Sequence, residues 1–194
     1  MKYIKFITLS LALVMFLAAC GSGEKIETNM SQEVNDFSFT TQDNEPLSLK
    51  DLEGKYWIAD FIFTNCTTVC LPMTSNMAQL QQMAKEEDIN IQLVSFSVDP
   101  DFDTPDVLKN YSKGYNADLS NWAFLTGYDF QTIKELSIKS FKNMVAAPPE
   151  GSDQVTHGTS FFLVNPEGEV IKKYDGVQSA SMKTILDDLK KLDL

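Results

Sequence analysis

The chain has 194 residues, with 16 basic residues, all of them lysine, against 27 acidic ones, for a net charge of −11 at neutral pH. Such a balance excludes nucleic acid as a natural partner, and without arginine no planar fork exists to grip a phosphate or carboxylate bidentately. The length suits one compact domain whose core needs no disulfide staples.

The elements follow in chain order. Lys2 and Lys5 precede an apolar run over residues 6–17, which reaches Leu17-Ala18-Ala19-Cys20 followed by Gly21. This reads as a lipoprotein signal peptide over residues 1–19 ending in a lipobox. The run is short of the roughly 20 residues that cross a bilayer as a helix. Cleavage leaves 175 residues with a net charge of −13 and frees Cys20 for lipidation, which anchors the domain to the outer face of the cytoplasmic membrane. Residues 20–34 read as a polar tether and residues 35–194 as the working domain.

Two short extended pieces, at residues 37–40 and 46–49, flank a turn at Gln42-Asp43-Asn44-Glu45. Residues 56–63 are nearly all apolar, as a central strand covered on both faces should be, and residues 89–98 form a second such strand. Between them Met73, Met77, Leu80 and Met83 recur at helical spacing, which predicts a helix over about 69–86. Thr104 and Pro105 provide the N-cap and first position of another helix. A short buried strand at 122–125, a helix from Asp129 to about 140 and a long loop at 143–156 come next. A hairpin of strands 158–165 and 169–174 and a closing helix at 181–192 end the chain. This order predicts an α/β domain with a mixed central sheet flanked by helices.

Cys66 and Cys70 lie at the end of the first central strand and the start of its helix, the place where α/β proteins put their chemistry. They can be a redox pair, a metal clamp or two small core residues. Helix N-terminal N–H groups favour a thiolate at Cys70, and a thiolate is both nucleophile and metal ligand. His157, the single histidine, follows the long loop and leads into a strand expected to lie beside the one ending at Cys66. Two thiolates and an imidazole select copper or zinc. Met73 and Met77 could add thioethers, but a methionine stripe at this spacing belongs more often to a core.

Several motifs then carry a resemblance. Asp36-Phe37-Ser38-Phe39, Leu49-x-x-Leu52-x-Gly54-Lys55 and Phe61-Ile62-Phe63-Thr64-Asn65-Cys66 resemble thioredoxin-like redoxins in general. Cys66-Thr67-Thr68-Val69-Cys70 with Pro72-Met73 is the more specific motif. With Ser95-x-Ser97-Val98-Asp99-Pro100-x-x-Asp103-Thr104-Pro105, Leu125-Thr126-Gly127, His157 and Phe162-Leu163-Val164-x-Pro166-x-Gly168, it resembles the Sco/SenC family of copper-handling proteins over about residues 34–190. The resemblance implies a membrane-anchored thioredoxin-like fold with an N-terminal extension. It implies copper, as Cu(I) or Cu(II), on Cys66, Cys70 and His157, and a role in assembling the CuA centre of cytochrome c oxidase subunit II. A thiol–disulfide reductant or a copper donor would be a further partner. It also implies an acidic residue supporting the site, Asp99 or Asp103, although local sequence favours turn and cap roles for both. Many family members have proline directly after the second cysteine; here Leu71 intervenes before Pro72.

The main rival is an exported thiol–disulfide oxidoreductase in which Cys66 and Cys70 are catalytic and keep the copper-receiving cysteines reduced. Against it, such reductases resemble one another in a proline at the start of the late strand, where this chain reads Thr156-His157-Gly158-Thr159. A peroxiredoxin is disfavoured by the missing arginine and by Phe63 at the position of that family's proline. A docking protein using its acidic face is the remaining alternative.

Overall fold

The computed structural model describes residues 26–66, 70–192 and 194, with the backbone alone at Cys70. The predicted signal peptide, Cys20 and residues 21–25 of the tether lie outside the described residues, as do Thr67, Thr68 and Val69.

Ten strands form among the described residues: β1 (Gln32–Glu33), β2 (Ser38–Thr41), β3 (Pro46–Ser48), β4 (Trp57–Ile62), β5 (Gln92–Ser97), β6 (Trp122–Thr126), β7 (Val145–Ala146), β8 (Thr156–His157), β9 (Ser160–Val164) and β10 (Glu169–Asp175). The helices are α1 (Leu49–Leu52), α2 (Cys70–Glu86), α3 (Pro105–Lys113), α4 (Phe130–Phe141) and α5 (Ala180–Leu189). Eight strands make one sheet in the order β1-β10-β9-β4-β5-β6-β2-β3. β4, β5 and β6 run parallel and the outer pairings are antiparallel, so the sheet is mixed. This is the thioredoxin-like α/β architecture the sequence motifs implied.

Strand β4 occupies the centre because both its faces are apolar. Trp57, Ala59 and Phe61 point into one core with Phe96, Phe162 and residues Ile133, Leu136 and Phe141 of α4. Ile58 and Ile62 point into the other, beneath Met73, Met77 and Leu80 of α2, Leu108 of α3 and Ile185 of α5. The period-two alternation thus feeds two cores, one on each side of the sheet. Met73 and Met77 are fully buried in this second core, so their helical spacing marks packing against the sheet. The predicted caps form: Thr104 Oγ1 accepts from Val107 N–H at 3.4 Å, and Asp129 Oδ1 from Thr132 N–H at 2.7 Å.

Three segments depart from the expectations. Residues 26–34 belong to the expected tether, yet β1 pairs with β10, Asn29 and Met30 N–H donate to Ile171 O, and Ile26 and Val34 are buried. Short polar stretches conceal such a strand because its backbone, rather than a hydrophobic period, makes the contact. Residue 49 leaves the predicted strand for α1, where Ser48 and Asp51 form a capping box. The loop 143–156 is closed at its ends by β7 pairing with β8, so His157 sits in a separate two-stranded ladder just before β9.

Phe141 joins α4 to the sheet. Its ring meets Phe61 at 5.2 Å, Phe162 at 5.3 Å, Phe96 at 6.0 Å and Trp57 at 6.2 Å between centroids. Phe141→Ala is expected to lower stability by about 3–5 kcal/mol through lost burial and the cavity left behind. Urea unfolding should show a lower midpoint at unchanged m-value.

Candidate metal centre

Parallel strands β4 and β5 end on the same edge of the sheet, and both run into turns there. The turn after β4 carries Thr64, Asn65 and Cys66. The turn after β5 carries Asp99 and Asp103. A single buried side chain joins them: the Asp103 carboxylate accepts from Thr64 N–H at 3.2 Å, from Thr64 Oγ1–H at 2.5 Å and from Ser97 Oγ–H at 2.6 Å. Burial pushes the Asp103 carboxyl above the usual carboxylate range, while the Ser97 and Thr64 donors hold it back down. Asp103 therefore acts two residues away from Cys66, by fixing the turn that presents the thiol. Asp99 opens the second turn, with its carbonyl accepting from Phe102 and Asp103 N–H. Its carboxyl is raised by partial burial and then by the charges of Asp101 and Asp153.

Cys66 is 7% exposed and lies in the same core cluster as Phe63, Val145 and Val155. Cys70 begins α2, so its backbone stands at the helix N-terminus as expected; the placement of its sulfur lies outside the described residues. His157 is 8% exposed, and its ring meets Phe63 edge-on, with centroids 5.7 Å apart and planes at 82°. The imidazole is thereby brought against the strand end that leads to Cys66.

The histidine's orientation is set from two sides. Its Nδ1 lies 2.9 Å from Gly158 O. A carbonyl oxygen only accepts, so Nδ1 carries the proton of the neutral ring and the lone pair falls on Nε2. This is the arrangement in which a backbone acceptor prepares an imidazole for a metal. Gly158 itself is required: a Cβ there would lie 2.0 Å from Asn143 Oδ1. Asn143 is buried and tied to Ser137 of α4, donating from Nδ2 to Ser137 Oγ at 3.0 Å and accepting at its carbonyl at 3.1 Å. A thiol presented by the Cys66 turn and an imidazole oriented by a backbone carbonyl are donors of the kind that suit copper in either oxidation state.

Sequence reasoning missed the ties across this site. Asn65 Nδ2–H donates to Asp153 Oδ2 at 2.7 Å, and Gln154 Nε2–H donates to Asn65 O at 3.0 Å. These bonds fasten the long segment before His157 to the turn that bears Cys66, and no local pattern announces them. Asp60 had a signal that was not read: it is the one charged residue in an otherwise apolar central strand. It is fully buried, and among the described residues neither carboxylate oxygen meets a hydrogen-bond partner. Burial pushes its carboxyl up to about 7, with Ser95 and then the charge of His157 pulling in the other direction. Ser95 stands opposite Asp60 in register, but its Oγ is engaged by Trp122 Nε1–H at 2.9 Å.

A native carboxyl that keeps its proton up to about pH 7, against 3.8 for the ordinary value, takes up a proton on folding between those limits. Stability therefore falls as pH rises through that window and levels off above it, by on the order of 4 kcal/mol at 1.36 kcal/mol per pH unit. In Asp60→Asn this contribution vanishes, so the stability difference between wild type and variant should shift toward the variant by that amount from pH 4 to 8 in urea titrations. Asp103→Ala, in contrast, should cost about 3 kcal/mol by leaving the half-buried Thr64 donors and the buried Ser97 donor unpaired. It should also loosen the turn that presents the Cys66 thiol.

Comparison with known proteins follows the same lines. The family model described as SCO1/SenC matches residues 26–192. A SCO1 protein homolog from Bacillus subtilis is 47% identical over 190 residues, covering 98% of this chain and 97% of that one. Among solved structures, a SCO1/SenC family lipoprotein from Bacillus anthracis superimposes with a TM-score of 0.81 at 46% identity, over 87% of this chain and all of that one. The structure of BsSco, described as a member of the Sco family of cytochrome c oxidase assembly proteins with a disulfide switch, gives 0.78 at 46% identity, over 86% and 96% of the two chains. Yeast Sco1 with copper bound gives 0.68 at 25% identity, over 83% and 90%. No helix among the described residues is long and apolar enough to cross a membrane. By the match over nearly all of its described length, the chain belongs to the SCO1/SenC family.

Proposed function

We propose that this protein is a copper chaperone that binds one copper ion through the thiolates of Cys66 and Cys70 and the Nε2 of His157. It works on the outer face of the cytoplasmic membrane, anchored by lipid at Cys20, and supplies copper to the CuA centre of cytochrome c oxidase subunit II. The observation that carries the reading is the His157 imidazole, oriented by Gly158 O and held against Phe63 at the mouth of the Cys66 turn. The copper-bound state of yeast Sco1 supports the choice of metal, and the lipoprotein relative supports the anchor suggested by Leu17-Ala18-Ala19-Cys20.

The same thiols support a second reading. Oxidation of Cys66 and Cys70 to a disulfide releases two protons and two electrons to an acceptor and removes two of the three ligands. The disulfide switch described for BsSco favours such chemistry in this family. In this protein, copper occupancy and the disulfide exclude each other, and an exported thiol reductase is the alternative function.

An anaerobic titration of the reduced protein with Cu(II) and with Cu(I), beside a His157→Ala variant, separates the two. One-to-one binding with an intense sulfur-to-copper charge-transfer band, lost or shifted in the variant together with at least a tenfold loss of affinity, is the expected result. No tight binding of either ion, with rapid reduction of a test disulfide, would make the protein a reductase and return His157 to a packing role.

A further inference from the structure

Three of the five large apolar side chains exposed among the described residues belong to the segments that carry or support the proposed ligands: Leu71 at 51%, Phe102 at 51% and Met144 at 60% exposure. Each is tied to a ligand-bearing segment. Leu71 follows Cys70 in the first turn of α2. Phe102 precedes Asp103, whose carboxylate holds Thr64. Met144 O accepts from the N–H of Gly158, the neighbour of His157. The charges of the same segments are all of one sign. Residues 63–72, 98–105 and 143–158 contain Asp99, Asp101, Asp103, Glu150 and Asp153 and not one lysine, although lysine is the only basic residue besides His157 and the chain has 16. Asp103 is buried; Asp101, Glu150 and Asp153 are exposed and Asp99 is half-exposed.

We infer that this face is a docking surface for a protein whose metal-accepting thiols lie in an apolar patch bordered by lysine or arginine. An acidic rim alone could serve to attract the metal cation, but a cation has no use for three exposed hydrophobes. An apolar centre within a charged rim is the anatomy of a protein interface, in which the centre supplies affinity and the rim supplies orientation and association rate. The absence of lysine over three separate segments selects a basic partner and repels a second copy of this acidic chain. The inference rests on the copper-delivery reading and specifies what the recipient must look like.

The test measures association of the reduced full chain, in detergent, with the soluble copper-accepting domain of oxidase subunit II over a range of ionic strength. It is repeated with Phe102→Ser/Met144→Ser and Asp101→Lys/Glu150→Lys, and copper affinity and thermal midpoint are recorded for every variant. The apolar variant is expected to weaken the complex at least tenfold. The charge reversals should slow association at least tenfold and flatten its salt dependence, while copper affinity stays within twofold of wild type. Wild-type association and copper transfer in both variants would overturn the docking surface and leave copper delivery standing. If the wild-type chain binds copper one-to-one yet neither associates with that domain nor passes copper to it, the proposed recipient and this surface fall together.

Discussion

The carboxylate of Asp103 fastens the ends of two parallel strands, and the placement of Cys66 depends on it. Parallel strands β4 and β5 leave the sheet at the same edge, where their ladder hydrogen bonds run out. Thr64 beyond β4 and Ser97 at the end of β5 both donate to Asp103. Asp103 N–H in turn donates to Asp99 O, and the chain passes through the Thr104 cap into α3. One ionisable group thus satisfies a backbone donor and two hydroxyls that would otherwise be stranded in the interior. Charge-assisted bonds of this kind are strong enough to offset much of the desolvation that raises its pKa. Tyr128 braces the same corner, donating toward Ser97 O at 2.8 Å and Leu125 O at 2.7 Å. The turn that bears Cys66 is consequently an extension of the sheet rather than an independent loop.

Asp60 is the counterpart that lacks such support. Both carboxylates are fully buried, yet one meets three donors and the other meets none. A buried acid without donors is held neutral by its surroundings, and it sits in β4, the strand that delivers Cys66. Packing alone offers no reason for this residue, because a leucine-sized hydrophobe would match the neighbouring Ile58 and Ile62.

The central sheet could be read from sequence because its signals are local: two apolar runs, a helical period between them, and the Thr104 and Asp129 caps. Cys66, Cys70 and His157 could be singled out because the chain has so few soft ligands. What could not be read depends on contacts distant in sequence. Gln32 and Glu33 form a strand only because β10 offers them an edge. His157 occupies its own ladder only because Val145 and Ala146 return to meet it. Asn65 and Asp153, 88 residues apart, belong to ordinary turn sequences and show their role only when folded. Asp103 illustrates the same limit, since the Asp99-Pro100-x-x-Asp103 motif drew attention to both acids without distinguishing the one turned inward.

The supports of the proposed ligands differ in kind, and the difference suits a carrier. Cys66 is fixed through Asp103 to the middle of an eight-stranded sheet. His157 depends on a two-residue ladder, on Gly158 fitted against Asn143, and on the ties from Asn65 to Asp153, which is exposed, and to Gln154, which is half-buried. Opening of a structure begins where few buried contacts and short ladders hold it. The imidazole side of the centre can therefore separate while the Cys66 turn stays in register with the sheet. Loss of one proposed ligand of three would weaken the grip on a bound ion without scattering the rest of the site. A rigid three-ligand cage would retain its ion against any recipient. A site with one side fixed and one side lightly held has a defined route for giving it up.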